Sequence, residues 1–237
     1  MDNEACNATA EVERPLSGHG ERGLSAAGPM TQQPPFPHVE CLCSAPLMDL
    51  EDPALRLRVQ SLTQLKTTRR GKVLAVYAYV KRLKLRGRLM RRHRTATEVL
   101  RAGGGDASEK ATLFVAMLRL LGVPARMRVV SLRAGMVHGF DVALWRLERP
   151  IVEAWTGERW AGTDTYIFDP NSMAAARQRL RDKGLDYGYG IHVRGPSTWD
   201  GLGDAYVSGH APEHDPTVAA PVERGGARAA AHDGARA

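Results

Sequence analysis

A triple glycine, Gly103-Gly104-Gly105, runs directly into Asp106-Ala107-Ser108-Glu109 and then into an apolar stripe of Leu113, Phe114, Met117, Leu118, Leu120 and Leu121. Asp106 with Glu109 three positions later has the spacing of a capping box, with Asp in the place of Ser or Thr. Gly122 stops the helix so begun, and Pro124 prevents its resumption. A stripe this broad must be heavily buried, so the fold has to be built around this helix. The triple glycine predicts a tight turn into its first residue. It is not followed by the Gly-Lys-Ser/Thr of a phosphate loop, so a nucleotide is not indicated, and nothing in the sequence points to a cofactor.

Upstream, Asp52-Pro53 opens a helix running to about Leu62, with Pro at the first helical position. Thr67 or Thr68 caps a second helix, in which Val73, Leu74, Val76, Tyr77, Val80 and Leu83 recur at three and four residues. Thr95 or Thr97 starts a short helical turn through Leu100. Downstream the period changes. Residues 126–132 and 140–145 alternate as half-buried strands, and 151–155 followed by 159–166 reads as a hairpin about Thr156-Gly157. Asp169-Pro170-Asn171 opens a last helix, Met173 to about Lys183, ended by Gly184. Helices first and an antiparallel sheet after them predict an α+β fold. Residues 1–38 and 210–237 mix Gly, Pro, Ala and scattered charge without a period, and read as a disordered leader and tail around a domain of 39–209.

The chain has 237 residues, 43% of them hydrophobic and 25% charged, enough for one packed domain. No apolar run is long enough for a membrane span. The first thirty residues lack a basic and then apolar leader, so a cytoplasmic location is expected. Net charge is +7, which permits an acidic partner without requiring one. The positive charge is densest at 81–94, with eight Lys/Arg and no acid. That stretch is either an anion-binding patch or the solvated face of the second helix continuing through Lys81, Lys84, Arg88 and Arg91. It contains no aromatic platform for stacking bases, so nucleic acid is not the favoured partner. The three cysteines, Cys6, Cys41 and Cys43, are too few and oddly numbered for a disulfide framework. Cys41 and Cys43, even with His38 nearby, lack the spacing and second ligand pair of a zinc site, so no metal is expected.

The run from Thr97-Glu98-Val99-Leu100 through Gly-Gly-Gly-Asp106-Ala107 to Gly122-Val-Pro-Ala-Arg126 resembles the central motif of transglutaminase-like domains. The hairpin Arg149-Pro-Ile-Val-Glu153-Ala-Trp155 with Trp160 and Asp164 is similar to the same family's later motif. The resemblance implies a papain-like fold, a nucleophile helix packed on an antiparallel sheet. It also implies a cysteine at the head of that helix, where unpaired amides and the helix dipole stabilise a thiolate. A histidine on the first hairpin strand would take the thiol proton, and an aspartate on the second would orient it. Carried over residue by residue, the cysteine position is Ala107, the histidine position Arg149 and the aspartate position Asp164. Only the aspartate is kept. Alanine offers no nucleophile, and arginine stays protonated near neutral pH and cannot act as a base.

A two-residue Thr156-Gly157 turn would set Arg149 directly opposite Asp164, so an ion pair is expected in place of the His–Asp pair. Ser108 is one helical step, about 100°, from the nucleophile position and more naturally caps or faces away. His138, in Val-His-Gly-Phe, is the best substitute base, and would be the family histidine if the hairpin were aligned differently. Glu153 reads as a structural or cleft-lining acid, and Trp155 and Trp160 as packing across the hairpin. Three functions remain open. The leading one is a catalytically inactive transglutaminase-like domain that binds a peptide or protein partner or serves as a scaffold. The second is an active amidase or acyltransferase using His138 and Asp164 with a non-cysteine nucleophile. The third is an acidic-polymer or nucleic-acid binder working through 81–94.

Overall fold

The structure is a computed structural model, and residues 38–86, 93–133 and 148–219 are described. The leader up to residue 37, the strand expected at 140–145, His138 and the chain beyond 219 lie outside the described residues. After a short 3-10 turn, Val39–Leu42, come helices α1 (Pro53–Thr63) and α2 (Arg69–Arg82), then the two-residue strand β1 (Lys84–Leu85). Next are α3 (Ala96–Ala102), β2 (Gly104–Gly105), α4 (Ala107–Leu120), β3 (Ala125–Ser131), β4 (Glu148–Trp155) and β5 (Trp160–Thr163). The chain continues through α5 (Pro170–Asp182), β6 (Tyr187–Gly188) and β7 (Ile191–His192).

Each helix starts where its cap dictates. The Asp52 carboxylate accepts from the amides of Ala54 and Leu55, the Thr68 hydroxyl from Gly71, and the Asp169 carboxylate from Asn171 and Ser172. α3 and α4 begin with full capping boxes, Thr95 with Glu98 and Asp106 with Glu109. Between them Gly103 closes α3 at φ +63°, and Gly104-Gly105 pairs in parallel with Lys84-Leu85. A Cβ on Gly104 would lie 2.6 Å from the Lys84 carbonyl oxygen, so this close pass of two backbones admits only glycine there.

α4 is the hub. It packs against α1, α2, α3, β3 and β4, and an unbroken run from Leu113 to Leu118 along it is buried. Phe114 stands among Tyr77, Tyr166 and Trp199, with ring centroids 5.3–6.3 Å away. The main sheet is antiparallel in the order β3-β4-β5, so the layout is α+β with α4 on the sheet and the N-terminal helices packed on α4.

Two expectations are corrected. The hairpin closes over four residues, Thr156 to Arg159, and pairs Trp155 with Trp160 and Val152 with Thr163. A two-residue turn would have paired these strands two positions differently. The Thr156 hydroxyl accepts from the Arg159 amide and its own amide donates to the Arg159 carbonyl, and these bonds stabilise the longer loop. The packed region also runs past residue 209. Pro212, Asp215 and Thr217 are buried, and the amides of Arg133 and Ala219 donate to the carbonyls of Thr217 and Ser131.

Candidate functional site

Arg149 lies in β4 and is fully buried, as is Asp164, the residue that follows β5. Because the register is displaced by two, the side chains keep their faces, and Arg149 meets Asp164 diagonally instead of head-on. Arg149 Nε stands 3.0 Å from Asp164 Oδ2, out of line for a hydrogen bond, so this contact is one of charge. The guanidinium has two further partners. Its Nη2 donates to Asp215 Oδ2 at 2.5 Å and its Nη1 to the Gly190 carbonyl at 2.8 Å. Gly190 sits at φ +70°, and a Cβ there would collide with Arg149 Nη1, so the glycine is what lets the guanidinium through.

One cation is thus shared by two buried carboxylates, and their environments differ. Burial pushes Asp164 above the usual carboxylate range, against the pull of Arg149 and of the Val207 amide, which donates to Oδ1 at 2.8 Å. Burial also pushes on Asp215. There Arg149, with the amide and hydroxyl of Thr217, prevails and holds the group below its usual range.

Ala107 is the first residue of α4 and buried. Asp106 just before it and Arg149 bear on the same two phenols, Tyr166 and Tyr189. Burial raises both, Tyr189 to about 12; Arg149 opposes the rise and Asp106 adds to it. Ser108 is half-buried, and the cap it was considered for belongs to Asp106. Glu153 is in ion pairs with Arg126 and Arg128 at 2.6 and 3.2 Å. Trp155 and Trp160 meet edge to face at 5.7 Å, with His38 against both rings and Arg126 4.3 Å from the Trp160 ring centroid. Cys41 and Cys43 are half-buried thiols, and among the described residues no group of three acidic, His or Cys side chains could hold a metal.

The sequence reading missed four residues. Asp215 and Gly190 complete the Arg149 cluster from far along the chain. Lys110 is fully buried in α4, and its Nζ donates to the carbonyls of Leu83 and Ile167 at 2.8 and 2.7 Å. Lys81, taken above as part of a solvated basic face, is also buried, and its Nζ donates to the carbonyls of Thr165 and Phe168. Burial lowers Lys110 to about 7 and Lys81 to about 8. Arg94 joins the fold as well, forking onto Glu109, while α2 ends at Arg82 instead of carrying the basic face onward. One signal for Lys110 was available, its place three and four residues before Leu113 and Phe114 on the buried stripe.

Residues 57–165 match the family model of the transglutaminase-like superfamily, a span that contains Ala107, Arg149 and Asp164. Over this span, a little under half of the chain, the residues are similar to that superfamily, and the buried helix on an antiparallel sheet is the α+β, papain-like arrangement such a domain implies. Among solved structures, the chain is similar to a protein of Cytophaga hutchinsonii described as a "putative cysteine protease", at 17% identity and a TM-score of 0.43. That similarity covers 61% of this chain and 44% of the other, so this chain spans less than half of that protein's length. No curated protein matches the chain. Among the described residues no helix is long and apolar enough to cross a membrane.

Proposed function

We propose that this transglutaminase-like domain is catalytically silent and acts by binding a peptide or protein partner, or as a scaffold. The observation that carries the reading is the Arg149 cluster. At the position the family resemblance gives to a histidine base stands a buried guanidinium, committed to Asp164, Asp215 and Gly190. A guanidinium so held neither accepts a proton nor swings to a substrate. At the matching nucleophile position Ala107 presents a methyl group at the head of α4, where the helix dipole and capped amides would otherwise favour an anion. The thiols of Cys41 and Cys43 suit a reducing compartment, and the domain is read as cytoplasmic. Acid-polymer binding through 81–94 loses ground, because Lys81 and Arg94 are engaged inside the fold.

The test is turnover. The wild-type chain is incubated with glutamine peptides, amine acceptors and activated acyl donors, and followed by intact mass and product release. The silent reading expects no acyl adduct and no product. Turnover abolished by His138→Ala or Asp164→Ala would replace it with the enzyme reading.

A further inference from the structure

Residues 212–219 run through two turns, closed by the His214 amide on the Ala211 carbonyl and the Val218 amide on the Asp215 carbonyl, and reach the Arg149 cluster and the end of β3. The Arg133 amide donates to the Thr217 carbonyl and the Ala219 amide to the Ser131 carbonyl, both at 2.8 Å, with Leu132 and Val218 in an antiparallel bridge. Pro212, Asp215 and Thr217 are buried, whereas Glu213, His214 and Pro216 are exposed. Asp215 reaches Arg149, and its other oxygen takes the amide and hydroxyl of Thr217. At the rim Glu213 pairs with Arg128 at 2.6 Å. Main-chain pairing is confined to 217–219, and the turns before it deliver the Asp215 carboxylate to the guanidinium.

We propose that the end of β3 together with Arg149 and Arg128 is a receptor for a turn-forming acidic peptide of the pattern Pro-Glu-x-Asp-x-Thr, filled in this chain by its own residues 212–217. Arg149 reads the Asp, Arg128 the Glu, and Gly190 leaves the space that the guanidinium needs. A partner carrying this pattern binds by displacing the strap. The strap acts at an effective concentration on the order of millimolar, so the intact chain binds such a partner weakly until the strap is released. This rests on the binding reading above and gives it a partner chemistry.

The test uses the full chain with a protease recognition sequence inserted after Gly209, cut after folding, and a fluorescent peptide of residues 210–219. The labelled peptide is expected to exchange into the cut protein. Its Asp215→Asn version should bind at least about a hundredfold more weakly, because the buried guanidinium is left short of a charge. A Glu213→Arg peptide should bind poorly to this protein and recover on an Arg128→Glu chain. No exchange, or an Asn peptide within about threefold of the original, overturns the proposal. In the uncut chain, Asp215→Asn should speed hydrogen exchange at the Arg133 and Ala219 amides by about tenfold or more, and unchanged protection there also overturns it. If these fail while wild-type turnover stays absent, only the acidic-peptide site falls. Turnover would instead remove the silent reading and leave the strap measurements standing.

Discussion

The turn from Asp164 to Phe168 is gripped by buried cations from two sides, and the two sides use different chemistry. Toward the sheet, Arg149 is matched by the carboxylates of Asp164 and Asp215. Toward the helices, Lys81 and Lys110 are matched by backbone carbonyls of Thr165, Phe168, Ile167 and Leu83. A guanidinium cannot shed its proton in the range where proteins fold, so it needs counter-charge and has two. An amine can shed its proton and still donate to carbonyls, so it is tolerated with dipoles alone. The cation of the first cluster is fixed in charge; the cations of the second respond to pH.

The largest effect should come from breaking the fixed side. Arg149→Met leaves two buried carboxylates without their cation and should cost about 3–5 kcal/mol in urea unfolding. A loss below about 1 kcal/mol would mean the cluster is not what holds β4 to the segment after it. On the other side, Lys110→Met keeps the apolar volume but strands the Leu83 and Ile167 carbonyls, and should cost about 2 kcal/mol in the same measurement.

The pH dependence separates the two sides further. Lys110 titrates near 7 and Lys81 near 8 in the fold, below the 10.5 of an unperturbed lysine. Between these values the unfolded chain binds more protons than the folded one, so stability gained from these amines is absent below about 7 and complete above 10.5. The urea midpoint should therefore rise from pH 7 to pH 9.5, and rise less in Lys110→Met. An identical slope in both proteins would return Lys110 to an ordinary solvated amine. The smallest effect is expected at the surface. Glu153→Gln removes pairs with Arg126 and Arg128, which are themselves substantially exposed, and should cost less than about 1 kcal/mol.

What could be read from the sequence follows the range of the interactions involved. α4 was legible at both ends because Asp106, Glu109, Gly122 and Pro124 act within one turn of themselves. The hairpin was legible as an element but not in register, since its loop is closed by the Thr156 side chain on Arg159, a bond that composition does not announce. That Arg149 and Asp164 meet could be anticipated, because a shift of two residues keeps the faces. Their isolation from water could not be, because Asp215 and Gly190 arrive from 66 and 41 residues away. Lys81 and Lys110 were hidden by their residue type, which is rarely buried without a counter-charge.

The proposal of silence turns on Arg149, which stands at the position that the family resemblance gives to the imidazole of thiol chemistry. The most direct measurement is hydrolysis of a peptide amide by Ala107→Cys alone and by Ala107→Cys with Arg149→His, across pH 5–9. Restoring the thiol alone is expected to yield no turnover, and any recovered activity to need both changes. Hydrolysis by the single Ala107→Cys protein, with a bell-shaped pH profile that vanishes in His138→Ala, would show that the base was never lost and would contradict the proposal.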